Sequence, residues 1–335
     1  MKPEIFPDES AAVLADCHLH LEGCLPVSEV SRLAARAGHA FADPAAFERA
    51  GAGVSDAASF LALYAEICRL FRSPDDYFGA AVAVAAALAD DRLAYAEVYV
   101  SPEIFPRIGL DAAACLEAID AGFRDASAAR GIRCRILLDV VRQWGPPSAD
   151  RVLDLYARKP LPTIVGFGMG GDEAAEPAAA FAGIYLRARA LGLRTSVHAG
   201  EWGGADSVRD VLDALRPDRI DHGIAAASDP QLLKRLAEEA TVLCVAPTSN
   251  RQTGAVARGA EHPLRRLLDA GVRVALSADD PAMFGTTTRA EYRYAREALG
   301  LEDAQLRTLA ANAWRGAFCS REEREKGLEA LGGEH

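Results

Sequence analysis

Short apolar runs rich in β-branched residues recur along the chain, and each is followed by a longer segment with helical spacing. Strands that alternate with helices form parallel sheets, because each connection between parallel strands has to cross over the sheet. Eight alternations predict an α/β fold that closes into a (β/α)8 TIM barrel. The predicted strands are residues 13–20, 93–100, 133–141, 163–169, 195–198, 219–222, 241–245 and 273–277.

The interval between the first and second strands is too long for a simple crossover. Helical patterns at 27–38, 57–71 and 75–88 predict inserted helices after the first strand, over roughly residues 26–90. Helices inserted at a barrel mouth often form a lid over the site. An open doubly wound sheet is the competing fold, but no Gly-x-Gly-x-x-Gly follows the first strand. Because no linker or repeat interrupts the chain, residues 1–335 are expected to form a single domain.

The composition narrows the classes of partner. A net charge of −11 is unfavourable for nucleic acid, whose phosphates require a basic surface. The longest apolar run, residues 80–89, is too short to span a membrane, and residues 1–10 lack the apolar region of a signal peptide. The seven cysteines include no Cys-x-x-Cys pair, as expected in a reducing compartment. We expect a cytoplasmic protein that binds a small molecule, without nucleic acid or membrane; a homo-oligomer is compatible with the sequence.

Polar residues fall at the carboxyl ends of the predicted strands, where barrel enzymes place their active sites. His18 and His20 end the first strand, and the period of two in a strand directs both to one face, where they can meet one metal ion. His198 ends the fifth strand and adds a third imidazole. Glu201 follows three residues later, and a carboxylic acid in such a pocket can donate a proton to a substrate.

Two further strand ends carry candidate site residues. His222 ends the sixth strand, and Asp279 and Asp280 follow the eighth. Adjacent carboxylates point to different sides, so one can face a metal ion while the other faces a substrate. Each motif alone has an ordinary structural explanation, such as a helix start at Asp-Asp-Pro. Together they predict one convergent site. No role is assigned to His39, His262 and His335.

The ligand types select the metal. Imidazole nitrogens with one carboxylate suit Zn²⁺, and Fe²⁺ or Co²⁺ also accept this ligand set. One zinc ion per chain leaves a position for water, and zinc lowers the pKa of that water to about 7. Such a site is suited to hydrolytic attack on an electrophilic carbon.

At these residues the chain resembles the adenosine deaminase family of the amidohydrolase superfamily. The resemblance extends over nearly the whole chain, and the order and spacing of its motifs are specific. It implies a metal-dependent TIM-barrel hydrolase that acts on the C–N bond of a cyclic amidine and removes the 6-amino group of a purine. The motifs are residues 18–23 (HLHLEG), 170–173 (GGDE), 198–201 (HAGE), 221–223 (DHG), 247–250 (PTSN) and 279–281 (DDP).

The resemblance also implies a role for each site residue. Glu201 would protonate N1 of the purine, and His222 would act as general base or electrostatic partner of the attacking water. Asp280 would hydrogen-bond N7, and the backbone N–H of Gly171 would meet N3. Glu22, and His20 besides its metal contact, would lie against the substrate. The zinc ligands would be His18, His20, His198 and Asp279.

Three residues depart from the family pattern. Glu22 stands where nucleoside-specific members carry an Asp that binds a ribose hydroxyl. Tyr99 replaces a common Arg on the second strand. Asp221 replaces the usual Gly before the site histidine, and we expect it to alter the hydrogen bonding and basicity of His222. These departures concern the substrate and leave the reaction type intact.

Adenosine and 2′-deoxyadenosine are the first expected substrates, giving inosine and 2′-deoxyinosine. Free adenine is the main alternative because of Glu22, and a modified nucleoside such as aminodeoxyfutalosine is another. From a different class, the chain could be an inactive purine-binding protein on the same scaffold. A binuclear amidohydrolase requires a Lys at the end of the fourth strand, and a cytidine-deaminase site requires Pro-Cys-x-x-Cys; both are absent. Apolar residues of the insert expected on the sugar side are Phe60, Leu63, Tyr64, Ile67 and Phe71.

Overall fold

The computed structural model describes residues 13–332, and within that range every strand runs parallel to its neighbours. Five strands pair in the order β1-β2-β3-β4-β5, and four more pair in the order β6-β7-β8-β9. The short β5 and β6 are two pieces of the predicted fifth strand. The strands are β1 (Leu14–His20), β2 (Leu93–Val100), β3 (Arg133–Val141), β4 (Ile164–Gly170), β5 (Arg194–Thr195), β6 (His198–Ala199), β7 (Arg219–His222), β8 (Val242–Val245) and β9 (Arg273–Leu276).

Backbone hydrogen bonds join the two sets of strands into a ring. Between β5 and β6, the Ser196 N–H donates to the Phe167 carbonyl at 3.0 Å, and the Val197 carbonyl accepts from the next strand at 2.8 Å. At the other junction, Leu19 of β1 forms a parallel bridge with Asp279, directly after β9. The first and last strands therefore lie side by side, and the predicted (β/α)8 barrel is confirmed.

Four helices occupy the predicted insert between β1 and β2: α1 (Val27–Ala37), α2 (Pro44–Ala52), α3 (Ala57–Cys68) and α4 (Pro74–Asp90). Their starts follow capping chemistry. The Asp56 side chain accepts from the Ser59 N–H, and Ser73 caps α4 with Pro74 in its first turn. The predicted helix at 57–71 ends early, at Cys68, because the next cap and proline follow at once.

The remaining helices follow the strands around the barrel. Short 3₁₀ turns precede several of them. In chain order they are α5 (Ile104–Arg107), α6 (Ala112–Arg130), α7 (Gly145–Arg158), α8 (Ala182–Ala190), α9 (Gly204–Ala214), α10 (Pro230–Glu239), α11 (Pro247–Gln252), α12 (Leu264–Asp269), α13 (Pro281–Phe284), α14 (Thr288–Glu297), α15 (Asp303–Gly316) and α16 (Arg321–Ala330).

The core lies inside the barrel and between the strands and their helices. Strands β7 and β8 are buried along their whole length, as expected when helices cover a parallel sheet. The apolar run at 80–89 lies within α4, which packs closely on α6; a Cβ at Gly122 would lie 2.7 Å from the Phe78 carbonyl. Across residues 13–332, no helix combines the length and apolar composition of a membrane span. The extent of the domain over 1–335 stays a prediction, and His335 lies outside the described residues.

Candidate active site

The polar residues at the strand ends converge on one cavity of about 300 Å³. The barrel brings them together although they are up to 262 positions apart in the sequence, since parallel strands present their carboxyl ends at the same face. His18 lies beneath the cavity and is fully buried. The predicted residues that line the cavity are His20, Gly171, His198, Glu201, His222, Asp279 and Asp280.

Three imidazoles and one carboxylate form the ligand cluster: His18, His20, His198 and Asp279. The His198 Nε2 lies 2.9 Å from the His18 Nε2 and 3.3 Å from the His20 Nε2. One Asp279 oxygen, Oδ1, lies 3.2 and 3.3 Å from the same two nitrogens of His18 and His20. Ligands at zinc–nitrogen distances of about 2.1 Å, arranged as a tetrahedron, lie about 3.4 Å apart. The spacing of the ligand cluster fits a metal ion.

Hydrogen bonds behind the ligand cluster orient its donor atoms. The His198 Nδ1 lies 3.1 Å from the Met169 carbonyl, so the proton belongs on Nδ1 and Nε2 presents its lone pair to the cluster. The Asp279 Oδ2 accepts from the Ser249 hydroxyl at 2.7 Å, which leaves Oδ1 for a metal ion. The Asp279 backbone has a positive φ of 62°, a costly conformation for a residue with a Cβ. The chain thus bends sharply to direct this carboxylate into the site.

His222 lies beside the ligand cluster, close enough that its nitrogen could also be counted as a ligand. Its Nδ1 accepts from the Asn250 amide at 3.0 Å, and its Nε2 lies 3.3 Å from the Glu201 Oε2. The His20 Nε2 lies 3.3 Å from the His198 Nε2 and 3.3 Å from the Asp279 Oδ1, whereas the His222 Nε2 lies 3.9 Å from the Asp279 Oδ2. Burial, with the positive charge of His18 adding to it, lowers the pKa of His222 to about 4. His222 is therefore neutral at pH 7, with its Nε2–H directed into the cavity.

Glu201 is a buried carboxylic acid at the cavity wall. Its Oε1 accepts from the Thr253 hydroxyl at 3.2 Å. Burial raises its pKa well above the usual value, and the carboxylates of Asp279 and Glu173 raise it further. Glu201 is therefore suited to hold and deliver a proton.

Glu173 fixes the loop that carries Glu201. Its carboxylate accepts from the backbone N–H groups of Gly200, Glu201 and Trp202 at 2.7–2.9 Å, and from the Ser207 hydroxyl at 2.6 Å. Glu173 lies in the GGDE motif at 170–173, and no role was predicted for it from the sequence. Its position after the fourth strand was the available indication, and its partners lie more than 25 residues away.

Asp280 and Gly171 also line the cavity. Neither Asp280 carboxylate oxygen has a hydrogen-bond partner within residues 13–332, and the side chain is fully buried. Burial and the neighbouring Asp279 raise the pKa of Asp280 well above its usual value. Gly171 has a φ of 93°, and a Cβ there would lie 2.3 Å from the Gln143 Oε1. Any other residue here would be strained and would displace the Gln143 side chain.

Glu22 lies behind the cavity wall and is 1% exposed. The Tyr64 hydroxyl, from α3, donates to its Oε2 at 2.7 Å. Tyr64 and Phe60 line the cavity, whereas Leu63, Ile67 and Phe71 are buried in the core. Two of the five insert residues expected on the sugar side therefore line the cavity.

Tyr99 and Asp221, two departures from the family pattern, are hydrogen-bond partners. The Tyr99 hydroxyl and the Ser196 hydroxyl both donate to the Asp221 Oδ2. Asp221 lies under the ligand cluster, with its Oδ1 4.0 Å from the His18 Nδ1 and its Oδ2 3.8 Å from the His198 Nδ1. Asn250, and not Asp221, hydrogen-bonds the His222 ring, whereas the expected effect on basicity is present, because the charge of Asp221 acts to raise the pKa of His222 against burial.

Comparison with known proteins places these observations in a family. The adenosine deaminase family model matches residues 14–332, which include every strand and every site residue. An adenine deaminase of Sinorhizobium fredii is 40% identical over 319 residues, covering 95% of this chain and 97% of its own. An adenine deaminase of Sinorhizobium medicae is 39% identical over 318 residues, with the same two coverages, 95% and 97%.

Two solved structures have the same fold over almost the whole chain. The adenine deaminase of Arthrobacter aurescens has a TM-score of 0.90 and 29% identity, covering 96% of this chain and 98% of its own. An amidohydrolase of Burkholderia ambifaria with bound zinc has a TM-score of 0.87 and 27% identity, covering 96% of this chain and 90% of its own. The fold, the site and the sequence relatives therefore agree on one class of protein.

Proposed function

Because the chain belongs to the adenosine deaminase family, we propose that it hydrolyses free adenine to hypoxanthine and ammonia with one zinc ion. Hydrolytic deamination of an aminopurine is supported by the family and by the relatives. Adenosine, the first expected substrate, is not confirmed. The alternative, adenine, has better support because relatives that cover 95% of the chain are adenine deaminases.

The observation that carries the proposed reaction is the ligand cluster beside Glu201, a buried carboxylic acid whose pKa is raised by burial. His18, His20, His198 and Asp279 would hold the metal ion, and their donor types suit zinc. A zinc ion bound there supplies a hydroxide nucleophile near neutral pH. The zinc-containing relative from Burkholderia ambifaria supports the choice of metal.

Glu201 and His222 divide the proton chemistry. Glu201 gives its proton to N1 of adenine, which makes C6 more electrophilic. The Nε2–H of His222 hydrogen-bonds the oxygen that attacks C6, because Asn250 already occupies its Nδ1. Of the two expected roles for His222, this tautomer and the low pKa favour the electrostatic partner over the general base. As the C6–N6 bond breaks, N6 takes the hydroxyl proton of the attacking oxygen, relayed by the Glu201 carboxylate, and leaves as ammonia while that oxygen becomes the 6-oxo group.

Asp280 and Gly171 orient the purine. A protonated Asp280, whose pKa is raised, can donate to N7, and the Gly171 N–H can donate to N3. Asp280 is buried without a partner among the described residues, so a bound purine would satisfy it. The inactive purine-binding alternative is disfavoured because the ligand cluster, the acid and the His222 donor are all in place.

The test is turnover by the purified, metal-analysed protein with adenine, adenosine, 2′-deoxyadenosine and aminodeoxyfutalosine, followed by ultraviolet spectra and ammonia release. We expect adenine to react with a kcat/KM at least ~100-fold above that of adenosine, and chelation to abolish turnover until zinc is restored. If a nucleoside reacts as well as adenine, the adenine assignment is wrong. If the metal is bound and no aminopurine reacts, the inactive binding protein is the correct reading.

A further inference from the structure

One wall of the cavity comes from the inserted helix α3 and not from the barrel. Tyr64 and Phe60, one turn apart on α3, face the cavity, and their rings lie 6.1 Å apart. The Tyr64 ring meets the His20 ring edge-on at 6.2 Å. Phe60 packs on Phe284 at 5.5 Å between ring centroids. We call Phe60 and Tyr64 the insert wall.

Within residues 13–332, the side chains of the insert wall form one hydrogen bond to the barrel. The Tyr64 hydroxyl donates to the Glu22 carboxylate at 2.7 Å, and Glu22 lies directly after β1. A hydrogen bond in a buried, low-dielectric place is electrostatically stronger than the same bond in water. An Asp at position 22 is shorter by one C–C bond, about 1.5 Å, and would not reach this hydroxyl. The length of Glu22 therefore sets the position of Tyr64.

The insert wall stands beside the five-membered ring of the proposed substrate. Asp280, the proposed partner of N7, packs on the residue after Glu22, since a Cβ on Gly23 would lie 1.8 Å from the Asp280 Oδ1. N7 and N9 belong to the same ring. A free base carries only hydrogen at N9, whereas a nucleoside carries a ribose there. The N9 substituent must therefore pass the insert wall.

We propose that Tyr64, held by Glu22, closes the ribose end of the cavity and makes this site selective for free adenine over its nucleosides. This inference rests on the proposed function. For adenosine to bind, Tyr64 has to leave Glu22, and a buried carboxylate then loses its partner. Adenine binds without this rearrangement. Selectivity is thus set by an inserted helix acting on a residue next to the metal ligands.

The experiment compares the ratio of kcat/KM for adenine to kcat/KM for adenosine in the zinc-loaded wild type and in variants. Tyr64→Ala removes the closing ring, and we expect the ratio to fall about 10-fold or more, chiefly through a rise in adenosine turnover. Tyr64→Phe and Glu22→Asp break the hydrogen bond but keep a ring in place, and each should lower the ratio by about 3-fold.

Leu63→Ala is the matched control. Leu63 neighbours Tyr64 on α3 but is buried in the core, so this variant loosens the helix without opening the cavity. Its adenine-to-adenosine ratio should stay at the wild-type value. Circular dichroism reports whether each variant folds. If Tyr64→Ala does not fold, Tyr64→Phe and Glu22→Asp decide the question.

A second measurement is independent of turnover. In the Glu201→Gln background, calorimetry gives the Kd of adenosine with and without Tyr64→Ala, and the second change should tighten binding about 10-fold. Ratios that stay within 2-fold of wild type in the folded Tyr64 and Glu22 variants would overturn the inference. The proposed function stands in that case if the wild type prefers adenine. Failure of the wild type to deaminate adenine refutes the proposed function itself.

Discussion

The ligand cluster and the insert wall meet in one cavity but are built differently. The ligand cluster comes from β1, from β6 and from Asp279 after β9, so the barrel itself sets its geometry. Buried hydrogen bonds from Met169 and Ser249 hold its members. The insert wall comes from one helix, tied to the barrel by the bond between Tyr64 and Glu22. The contrast implies that the barrel carries the reaction and the insert carries the selection.

Of the substitutions that test this division, Glu201→Gln should have the largest effect on kcat/KM. The substitution keeps the shape of the side chain but removes the proton that N1 requires, and general acids contribute roughly 10²- to 10⁴-fold. We expect kcat/KM to fall about 1,000-fold for adenine and for adenosine alike. Steady-state ammonia release with both substrates measures it. The zinc content should stay at one ion per chain, because Glu201 is not in the ligand cluster.

An equal loss of kcat/KM for adenine and adenosine would distinguish the role of Glu201 from that of the insert wall. Tyr64→Ala, measured beside it, should change the adenine-to-adenosine ratio while Glu201→Gln leaves it unchanged. If Glu201→Gln alters that ratio by more than about 3-fold, the division between reaction and selection is wrong. A loss below 10-fold would remove Glu201 from the role of proton donor.

Asp221→Asn tests the support beneath the ligand cluster. The Asp221 Oδ1 lies 4.0 Å from the His18 Nδ1 and 3.7 Å from the Arg219 Nε, and none of these three buried atoms has a hydrogen-bond partner among residues 13–332. A carboxylate behind a metal-binding histidine orients the ring and strengthens it as a ligand. We expect the Asn variant to bind zinc 10- to 100-fold more weakly, about the usual loss for such partners.

Competition with a zinc chelator of known affinity measures this change without reference to turnover. Tyr99→Phe is the control, because it removes a donor to Asp221 but keeps the carboxylate and should weaken zinc binding less. When zinc is saturating, the adenine-to-adenosine ratio of Asp221→Asn should equal that of the wild type. Unchanged zinc affinity would show that Asp221 only fills space under the cluster.

The sequence predicts the two parts of the site unequally well, for a physical reason. The period of two in β1 places His18 and His20 on one face. Because the carboxyl ends of parallel strands meet at one end of the barrel, the site residues at the other strand ends lie close to them. No such rule finds Glu173 or Asn250, because their partners are distant in sequence and depend on the turns after the strands. A local pattern could suggest a motif there but not which atoms meet.

Helix α3 illustrates the limit most clearly. Its residues are apolar on both faces, with Phe60 and Tyr64 toward the cavity and Leu63 and Ile67 toward the core. Apolar spacing alone does not distinguish a core face from a cavity face. The bond from Tyr64 to Glu22 spans 42 positions and appears only when the insert is placed on the barrel. Selectivity was therefore the part of the function that the sequence left open.

His262, to which the sequence analysis gave no role, lies behind the ligand cluster and gives the smallest expected effect. Its Nε2 lies 3.4 Å from the Asn250 side chain, which in turn holds His222. Burial, with the charge of Arg251 adding to it, lowers the pKa of His262 to about 4. The unfolded chain, with a pKa near 6.5, binds more protons between these values, so the contribution of His262 to stability is lost as the pH falls from 6.5 towards 4.

We expect His262 to cost the wild type roughly 2 kcal/mol of unfolding free energy between pH 7 and pH 5. His262→Asn keeps an acceptor for the Leu264 N–H, which now donates to the His262 Nδ1 at 3.1 Å, but it does not titrate in this range. Burial raises the pKa of Asp16 to about 6, so Asp16 changes the stability in the opposite direction as the pH falls. Both the wild type and the Asn variant contain Asp16, and its contribution therefore cancels when their losses of stability are subtracted. Denaturant unfolding at both pH values should show the smaller loss in the Asn variant, with the adenine-to-adenosine ratio unchanged at pH 7. Equal losses of unfolding free energy in the wild type and the Asn variant would mean that His262 is not buried in its neutral form. An altered adenine-to-adenosine ratio in the Asn variant would mean that residues outside the insert wall also contribute to selectivity.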